Sequence, residues 1–231
     1  MTYEVALVSS HKTPASDYPR KRVDNYRISE TRYTRGYYNM SGVGDLALYK
    51  VTKAITVTEL QEKRPGKWND WMVDDPPHWG VMQYYASQMQ GRVLTAGLGL
   101  GLIHHCLAKN PAVQKIVAVE RSPEVIELVR PYIPESIEVV QGDFYDFIEG
   151  DAGPWDWVFL DLWVGYKSIQ DKLRTLGQEV FPLRHKVQGR FPGAGVAVHG
   201  FMSASDIRYP VSPETLKVLK LLFEVRDYGR S

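Results

Sequence analysis

RVLTAGLGLG, residues 92–101, is an apolar run that leads directly into glycines at positions 97, 99 and 101. The run (92–96) predicts a strand, and residues 100–109 predict a helix that ends at Asn110-Pro111. Glycines between a strand and a helix permit a tight turn and leave room for a ligand to approach the backbone. We expect Gly97, Gly99 and Gly101 to bind a cofactor, although the same pattern also occurs in a purely structural turn.

Strands and helices alternate from Gly91 onward. The predicted strands are nearly continuous apolar runs, as is typical of a parallel sheet covered on both faces. They span residues 92–96, 115–120, 137–140, 157–160 and 194–199, and helices are expected at 100–109, from Ser122, at 167–180 and from Ser212. The pattern predicts an α/β, Rossmann-like, doubly wound and mainly parallel sheet with helices on both faces.

The chain before this block has a different pattern. Short runs rich in β-branched residues, separated by turn sequences, predict strands at 3–8, 46–51 and 54–60. Residues 78–90 predict a short helix. We therefore expect a small, mostly β extension over residues 1–77 and a Rossmann-like domain over residues 78–231.

Acidic residues end the second and third predicted strands of that domain. Glu120, followed by Arg121, is placed to accept hydrogen bonds from ribose hydroxyls. Asp143, after Gly142, is placed to meet an adenine amino group on which Phe144 could stack. Ligands of doubly wound sheets bind beyond the carboxyl ends of the strands. We expect an adenosine moiety as the ligand, and Glu120, Arg121, Gly142, Asp143 and Phe144 as residues that bind it.

The glycine spacing narrows the choice of cofactor. The dinucleotide motif needs a small third residue where this chain has Leu102, which disfavours NAD. The sequence contains no G-K-[ST], so we expect no P-loop nucleotide site.

These motifs resemble those of the class I S-adenosylmethionine-dependent methyltransferases. The resemblance covers roughly residues 91–200: the glycine turn, Glu120, Gly142-Asp143, and a fourth-strand motif at Phe159-Leu160-Asp161-Leu162-Trp163. Within that superfamily the chain is most similar to spermidine synthase-like proteins and to phage-type methyltransferase-like proteins. The resemblance implies S-adenosylmethionine or its decarboxylated form as cofactor.

Two departures from the spermidine synthases favour methyl transfer over aminopropyl transfer. Those enzymes carry an acidic residue inside the glycine turn, where this chain has Leu98 and Leu100. Their catalytic aspartate precedes small polar residues and Asp-Pro, whereas Asp161 precedes Leu-Trp-Val-Gly-Tyr. A non-catalytic adenosyl-binding or assembly protein is a third hypothesis.

Asp161 is the predicted catalytic residue. A carboxylate at the end of the fourth strand can orient a nucleophile and take its proton, and the same aspartate can instead orient the cofactor. Trp163 and Tyr166 could form an aromatic wall against the acceptor or only pack over the cofactor. Asp74 and Asp75 are either acceptor-binding residues or a solvated turn before Pro76.

A metal site at His104 and His105 is not expected. Neighbouring helical side chains point about 100° apart, so two adjacent histidines cannot bind one ion from the same face. We expect one to be exposed and the other to pack.

The composition of the chain bears on its partners and its location. Basic residues number 28 and acidic residues 27, so the net charge indicates no polyanionic partner. Residues 12–35 hold seven basic and three acidic side chains with interleaved tyrosines, which leaves single-stranded nucleic acid as a weaker alternative to a small-molecule acceptor. Cys106 is the sole cysteine, and no segment predicts a membrane span or signal peptide. We expect a cytoplasmic enzyme, with a homodimer through the β extension as an option.

Overall fold

The computed structural model of the protein describes residues 6–39, 48–150, 153–163 and 174–199. Its N-terminal part forms two small sheets. An antiparallel sheet has the strand order β2-β3-β6-β7, and a smaller sheet has the order β1-β5-β4. The strands are β1 (Ala6–Val8), β2 (Lys21–Val23), β3 (Tyr26–Tyr33), β4 (Gly36–Asn39), β5 (Leu48–Val51), β6 (Ile55–Arg64) and β7 (Lys67–Asp74).

The second half is built on one parallel sheet. Its described strands are β8 (Gly91–Ala96), β9 (Val113–Glu120), β10 (Ile137–Gln141), β11 (Trp157–Leu160) and β12 (Gly195–Val198). Their order is β10-β9-β8-β11-β12, and every neighbouring pair is parallel. From β8 the chain adds β9 and β10 on one side, and it then returns to add β11 and β12 on the other side. The topological switch point therefore lies between β8 and β11.

Helices cover both faces of this sheet. Those described are α1 (Pro76–Gln88), α2 (Leu102–Ala108), α3 (Pro123–Val129), α4 (Phe144–Gly150) and α5 (Phe181–Arg190). Alternate residues of each strand enter different cores: Val93 packs with α1, α2 and α3, whereas Leu94 packs with α4 and α5. Because both faces are covered, the middle of each strand is apolar, and the polar residues of β9 lie at its ends.

Local capping explains where two helices begin. The Ser122 hydroxyl accepts a hydrogen bond from the Val125 amide at 3.1 Å, and Pro123 follows in the first turn, as expected for α3. The Asp75 carboxylate accepts from the His78 amide at 2.9 Å and caps α1 in the same way.

The predicted fold class is confirmed, with differences at its edges. Helix α1 begins at Pro76 rather than at residue 78, and helical residues continue to Arg190 rather than ending near Val180. The described N-terminal strands form two sheets of their own and do not join the parallel sheet. The helix expected from Ser212 and the start of the one at 167 lie outside the described residues. The division at residue 77 stays a prediction.

Two structural observations concern the predicted partners and location. Residues 12–35 fold into β2, β3 and a short 3-10 turn, Pro14–Asp17, so their basic side chains lie along strands and loops. Within the described ranges, no helix is both long and apolar enough to cross a membrane. Nucleic-acid binding, the homodimer and the cytoplasmic location stay predictions.

Glu59 provides a test of the antiparallel sheet. This residue of the inner strand β6 is 7% exposed. Burial, followed by the nearby charge of Asp70, raises the pKa of its carboxyl from 4.5 to about 6. The folded state therefore binds the proton more tightly than the unfolded state does. The contribution of Glu59 to stability is therefore highest below pH 4.5 and falls as the pH rises through about 6.

We expect Glu59→Gln to raise the free energy of unfolding by about 1 kcal/mol at pH 7.5 and to leave it unchanged at pH 4. Thermal unfolding of both proteins at the two pH values measures this. Glu135→Gln, which changes an exposed carboxyl, is the control and should have no effect at either pH. Equal effects of Glu59→Gln at both pH values would show that its charge is not the cause.

Candidate functional site

A pocket of about 250 Å³ lies at the carboxyl ends of β8, β9, β10 and β11, next to the topological switch point. Parallel α/β sheets bind ligands at this position. Nine of the predicted site residues line the pocket: Gly97, Gly99, Glu120, Arg121, Gly142, Asp143, Phe144, Asp161 and Trp163. The structure therefore brings together residues from four separate loops.

The glycine turn is tight because other groups press against it. Gly97 has φ +92°, and a Cβ there would lie 2.6 Å from the Asp161 carbonyl oxygen. Gly99 has φ +52°, and its Cβ would lie 2.5 Å from Met72 Cε. Both positions favour glycine for their positive φ, and Gly97 also needs it for space, because the atom it faces belongs to the backbone whereas the Met72 side chain at Gly99 can move.

Gly101 differs from the other two. It has φ +73° and begins α2, and its Cβ would meet Ile133 Cγ2 at 2.5 Å. It is not among the residues that line the pocket. The structure thus gives Gly101 a role in packing the turn, and its predicted contact with a cofactor gains no support.

Glu120 holds the glycine turn in place. Its carboxylate accepts hydrogen bonds from the Leu98 amide at 2.9 Å and from the Ser122 amide at 2.8 Å. One side chain thereby joins the loop after β8 to the loop after β9. Each carboxylate oxygen has two acceptor positions, so capacity for ribose hydroxyls remains.

The residues after β10 have structural contacts as well. Asp143 Oδ1 accepts from the Tyr145 amide at 2.8 Å at the start of α4, while its Oδ2 lies 4.0 Å from Arg121 Nη1. Phe144 lines the pocket but is only 3% exposed and packs into the core beside α4 and α5. Its predicted stacking on adenine stays a prediction.

Asp161 follows β11 at the centre of this edge. Its amide donates to the Ala96 carbonyl at 3.1 Å and so extends the pairing of β11 with β8. Burial raises the pKa of the Asp161 carboxyl to about 6, and the neighbouring His78 opposes that shift. Trp163 Nε1 donates to Glu179 Oε2 at 3.1 Å, which anchors the indole at the pocket. Tyr166 lies outside the described residues.

Several lining residues were not found from the sequence. Trp71 and Met72 come from β7, and Met72 Sδ accepts a hydrogen bond from the Leu100 amide at 3.2 Å. Glu179 lies in a π-helical turn, Leu176–Val180, just before α5. The others are Val119, Tyr145 and Leu162. Met72 packs on a turn that is distant in sequence, and no local sequence pattern predicts such a contact. Glu179 can be recognised only from the structure, because π-helical turns cluster at functional sites.

Asp74 and Asp75 are not a solvated turn, because they are 0% and 1% exposed. Asp74 accepts hydrogen bonds from the Thr13 hydroxyl and the His11 imidazole, and Asp75 caps α1. These contacts tie the N-terminal strands to the start of α1. Neither aspartate lines the pocket, so the prediction that they bind the acceptor gains no support.

His104 and His105 are both buried, at 0% and 6% exposure, so the expected exposed member of the pair is wrong. His104 Nε2 lies 2.7 Å from the Thr95 hydroxyl, and His105 Nε2 lies 2.7 Å from the Tyr18 hydroxyl. The N-terminal segment covers His105. Burial lowers the pKa of His104 to about 3 and that of His105 to about 4, so both are neutral at pH 7.

A different histidine pair approaches Asp161. One donor atom each from His78, Asp161 and His199 lies within 4.8 Å of the others. Burial, and then the nearby His199, lower the pKa of His78. The sequence separates these residues widely, so no ligand spacing revealed them.

The described residues form a Rossmann-like α/β fold with a pocket at its switch point. Solved structures similar to the chain include a DhpI–SAH complex (20% identity, 52% of this chain, 54% of that chain, TM-score 0.38). They also include the spermidine synthase of Thermotoga maritima (16% identity, 46% of this chain, 45% of that chain, TM-score 0.37). A third is a precorrin-6y C5,15-methyltransferase of Geobacter metallireducens (17% identity, 64% of this chain, 69% of that chain, TM-score 0.36).

The matched region spans about half the length of the first two of these proteins. No family model matches the sequence, and no curated protein matches it. The function proposed below rests on the geometry of this chain's own pocket.

Gly97→Ala tests the glycine turn. We expect a loss of about 2–3 kcal/mol in the free energy of unfolding, because alanine adds both a strained positive φ and a backbone clash. Denaturant unfolding measures this. Gly142→Ala is the matched control: nothing lies within 4 Å of a Cβ there, so stability should barely change. Similar stabilities for the two variants would contradict the packing described.

Proposed function

We propose that the protein is an S-adenosylmethionine-dependent methyltransferase that acts on a small-molecule acceptor. The observation that carries the proposal is the convergence of the glycine turn, Glu120, Asp143 and Asp161 on one pocket at the switch point. Each comes from a different strand end, and each matches a motif in the resemblance stated above.

The adenosine half of the cofactor fits the β9 and β10 side of the pocket. Glu120, already oriented by two amides, would accept from the ribose hydroxyls. Asp143 Oδ2, facing Arg121, would accept from the adenine amino group. The ribose would lie against Gly97 and Gly99, where a Cβ would obstruct it.

The charge of the lining favours a cationic ligand. Among the described lining residues, Glu120, Asp143, Asp161 and Glu179 are acidic, whereas Arg121 is the one basic residue. A pyrophosphate would meet repulsion there, and a sulfonium would meet attraction. This supports S-adenosylmethionine over the nicotinamide dinucleotides.

Methyl transfer asks mainly for alignment, because the sulfonium is already an activated leaving group. The pocket would hold donor and acceptor in line and keep water out. Asp161 is the carboxylate at the β11 end, where it would orient the acceptor's nucleophilic atom. Trp163, anchored by Glu179, would form one wall for the acceptor.

Aminopropyl transfer from decarboxylated S-adenosylmethionine is the second candidate. The same acidic lining favours it, because that cofactor lacks a carboxylate and a polyamine acceptor carries several ammonium groups. Two departures weigh against it: the leucines at positions 98 and 100, and the apolar residues after Asp161.

Isothermal titration calorimetry of the full chain tests the proposal. We titrate S-adenosylmethionine, its demethylated product and its decarboxylated form separately. Micromolar binding of the first two supports methyl transfer. A marked preference for the decarboxylated form would replace it with the second candidate. No heat from any of the three at millimolar ligand would overturn both.

Glu120→Gln should weaken S-adenosylmethionine binding by at least about tenfold, the equivalent of one lost charged hydrogen bond. Glu127→Gln, which changes an exposed carboxylate paired with Lys21, should bind as the unaltered protein does. Circular dichroism and thermal unfolding check that the turn survives the loss of its clamp.

If Glu120→Gln unfolds, Asp143→Ala replaces it. This variant loses one helix cap and the adenine contact but leaves the turn clamped. Unchanged affinity in a folded variant of either kind would show that the adenosine does not bind where we place it.

A further inference from the structure

We propose that His78, Asp161 and His199 form a binding site for one divalent first-row transition-metal ion of the zinc or iron(II) type. The three residues come from the first turn of α1 and from the ends of β11 and β12. Their nearest donor atoms all lie within 4.8 Å of one another. Neither the glycine turn nor the adenosine contacts require this cluster.

His78 is oriented as a metal ligand would be. Its Nδ1 lies 2.7 Å from the Val73 carbonyl oxygen, and a carbonyl can only accept, so Nδ1 donates its proton. The lone pair of the neutral ring is then on Nε2, which is buried and has no hydrogen-bond partner among the described residues. The residue itself is 5% exposed. Histidines that bind metals commonly donate their second N–H to a backbone carbonyl in this way.

The parallel sheet holds the backbones of the other two residues, Asp161 and His199, in place. The Asp161 amide donates to Ala96 at 3.1 Å, and the His199 amide donates to Leu160 at 2.9 Å, so both backbones continue the ladder of the parallel sheet. The His78 and His199 rings stack with centroids 4.8 Å apart and planes 20° apart. Neighbouring strand ends thus place an imidazole and a carboxylate beside His78.

The donor set selects the class of ion. Two imidazole nitrogens and one carboxylate oxygen suit zinc and iron(II), whereas magnesium and calcium prefer oxygen donors alone. Bonds of about 2.0–2.1 Å place ligand atoms roughly 3–3.5 Å apart. An ion would therefore draw the three side chains together by rotations of the side chains, without movement of the strands.

Three protein ligands leave coordination positions open to water or to another molecule. Asp161 also lines the pocket, so an ion there would lie at the pocket wall. It could polarise an oxygen or nitrogen of the methyl acceptor. That last role rests on the proposed function, whereas metal binding itself does not.

Metal binding to the full chain tests the site. The purified protein is stripped with a chelator, dialysed, and titrated with zinc and, separately, with cobalt(II). We expect one zinc per chain, and visible d–d absorption from cobalt that zinc removes. His78→Ala and His199→Ala should each weaken zinc binding by at least about tenfold.

His185→Ala is the matched control, because His185 is an exposed histidine on α5, far from the cluster in sequence. It should bind metal as the unaltered chain does. Circular dichroism identifies any variant that fails to fold, and His199→Gln then replaces His199→Ala. Absence of stoichiometric uptake, uptake that survives both cluster substitutions, or uptake lost in His185→Ala would each overturn the site.

Calorimetry with S-adenosylmethionine on the metal-free chain keeps the two proposals separate. Zinc uptake without cofactor binding would leave the metal site in place and refute the methyltransferase. Cofactor binding without zinc uptake would refute the metal site and leave the proposed methyltransferase in place.

Discussion

The carboxylate of Glu120 is the interaction on which the pocket depends. A turn with three glycines has a large conformational entropy to lose, and apolar packing cannot fix the direction of its amides. Glu120 does so by accepting from Leu98 and Ser122 together, which joins the loops after β8 and β9. The turn then lies against the Asp161 carbonyl, which no residue with a Cβ could approach at Gly97. The three loops are therefore positioned as one unit.

The N-terminal strands complete this unit rather than standing apart from it. Met72 of β7 packs on the turn and accepts from Leu100. The Tyr18 hydroxyl donates to the Leu100 carbonyl at 3.2 Å from the other side. Asp74 binds the Thr13 hydroxyl just before α1 begins, and α1 carries His78. The β extension therefore contributes a wall of the pocket, and its Val73 carbonyl orients the His78 ring of the histidine cluster.

The sequence predicted the parts of this arrangement that have a local cause. Nearly continuous apolar runs predicted the five parallel strands, because a sheet covered on both faces buries the middle of each strand. Glu120 and Asp143 were predicted because the carboxyl ends of parallel strands share one edge. The burial of Asp74, the packing of Met72 and the approach of His78 to His199 depend on contacts between distant segments. No periodicity or spacing encodes those contacts.

Asp161 belongs to both the pocket and the histidine cluster, and this shared position has an electrostatic consequence. Its carboxylate is half-buried at the pocket wall, and burial raises its pKa unless a positive partner compensates. A bound cation on either side, a sulfonium in the pocket or a metal ion at His78 and His199, would supply that compensation. Two cations cannot share one carboxylate without repelling each other, unless the acceptor brings negative charge between them. An acceptor with an anionic oxygen satisfies that condition, whereas a polyamine would add a third positive charge.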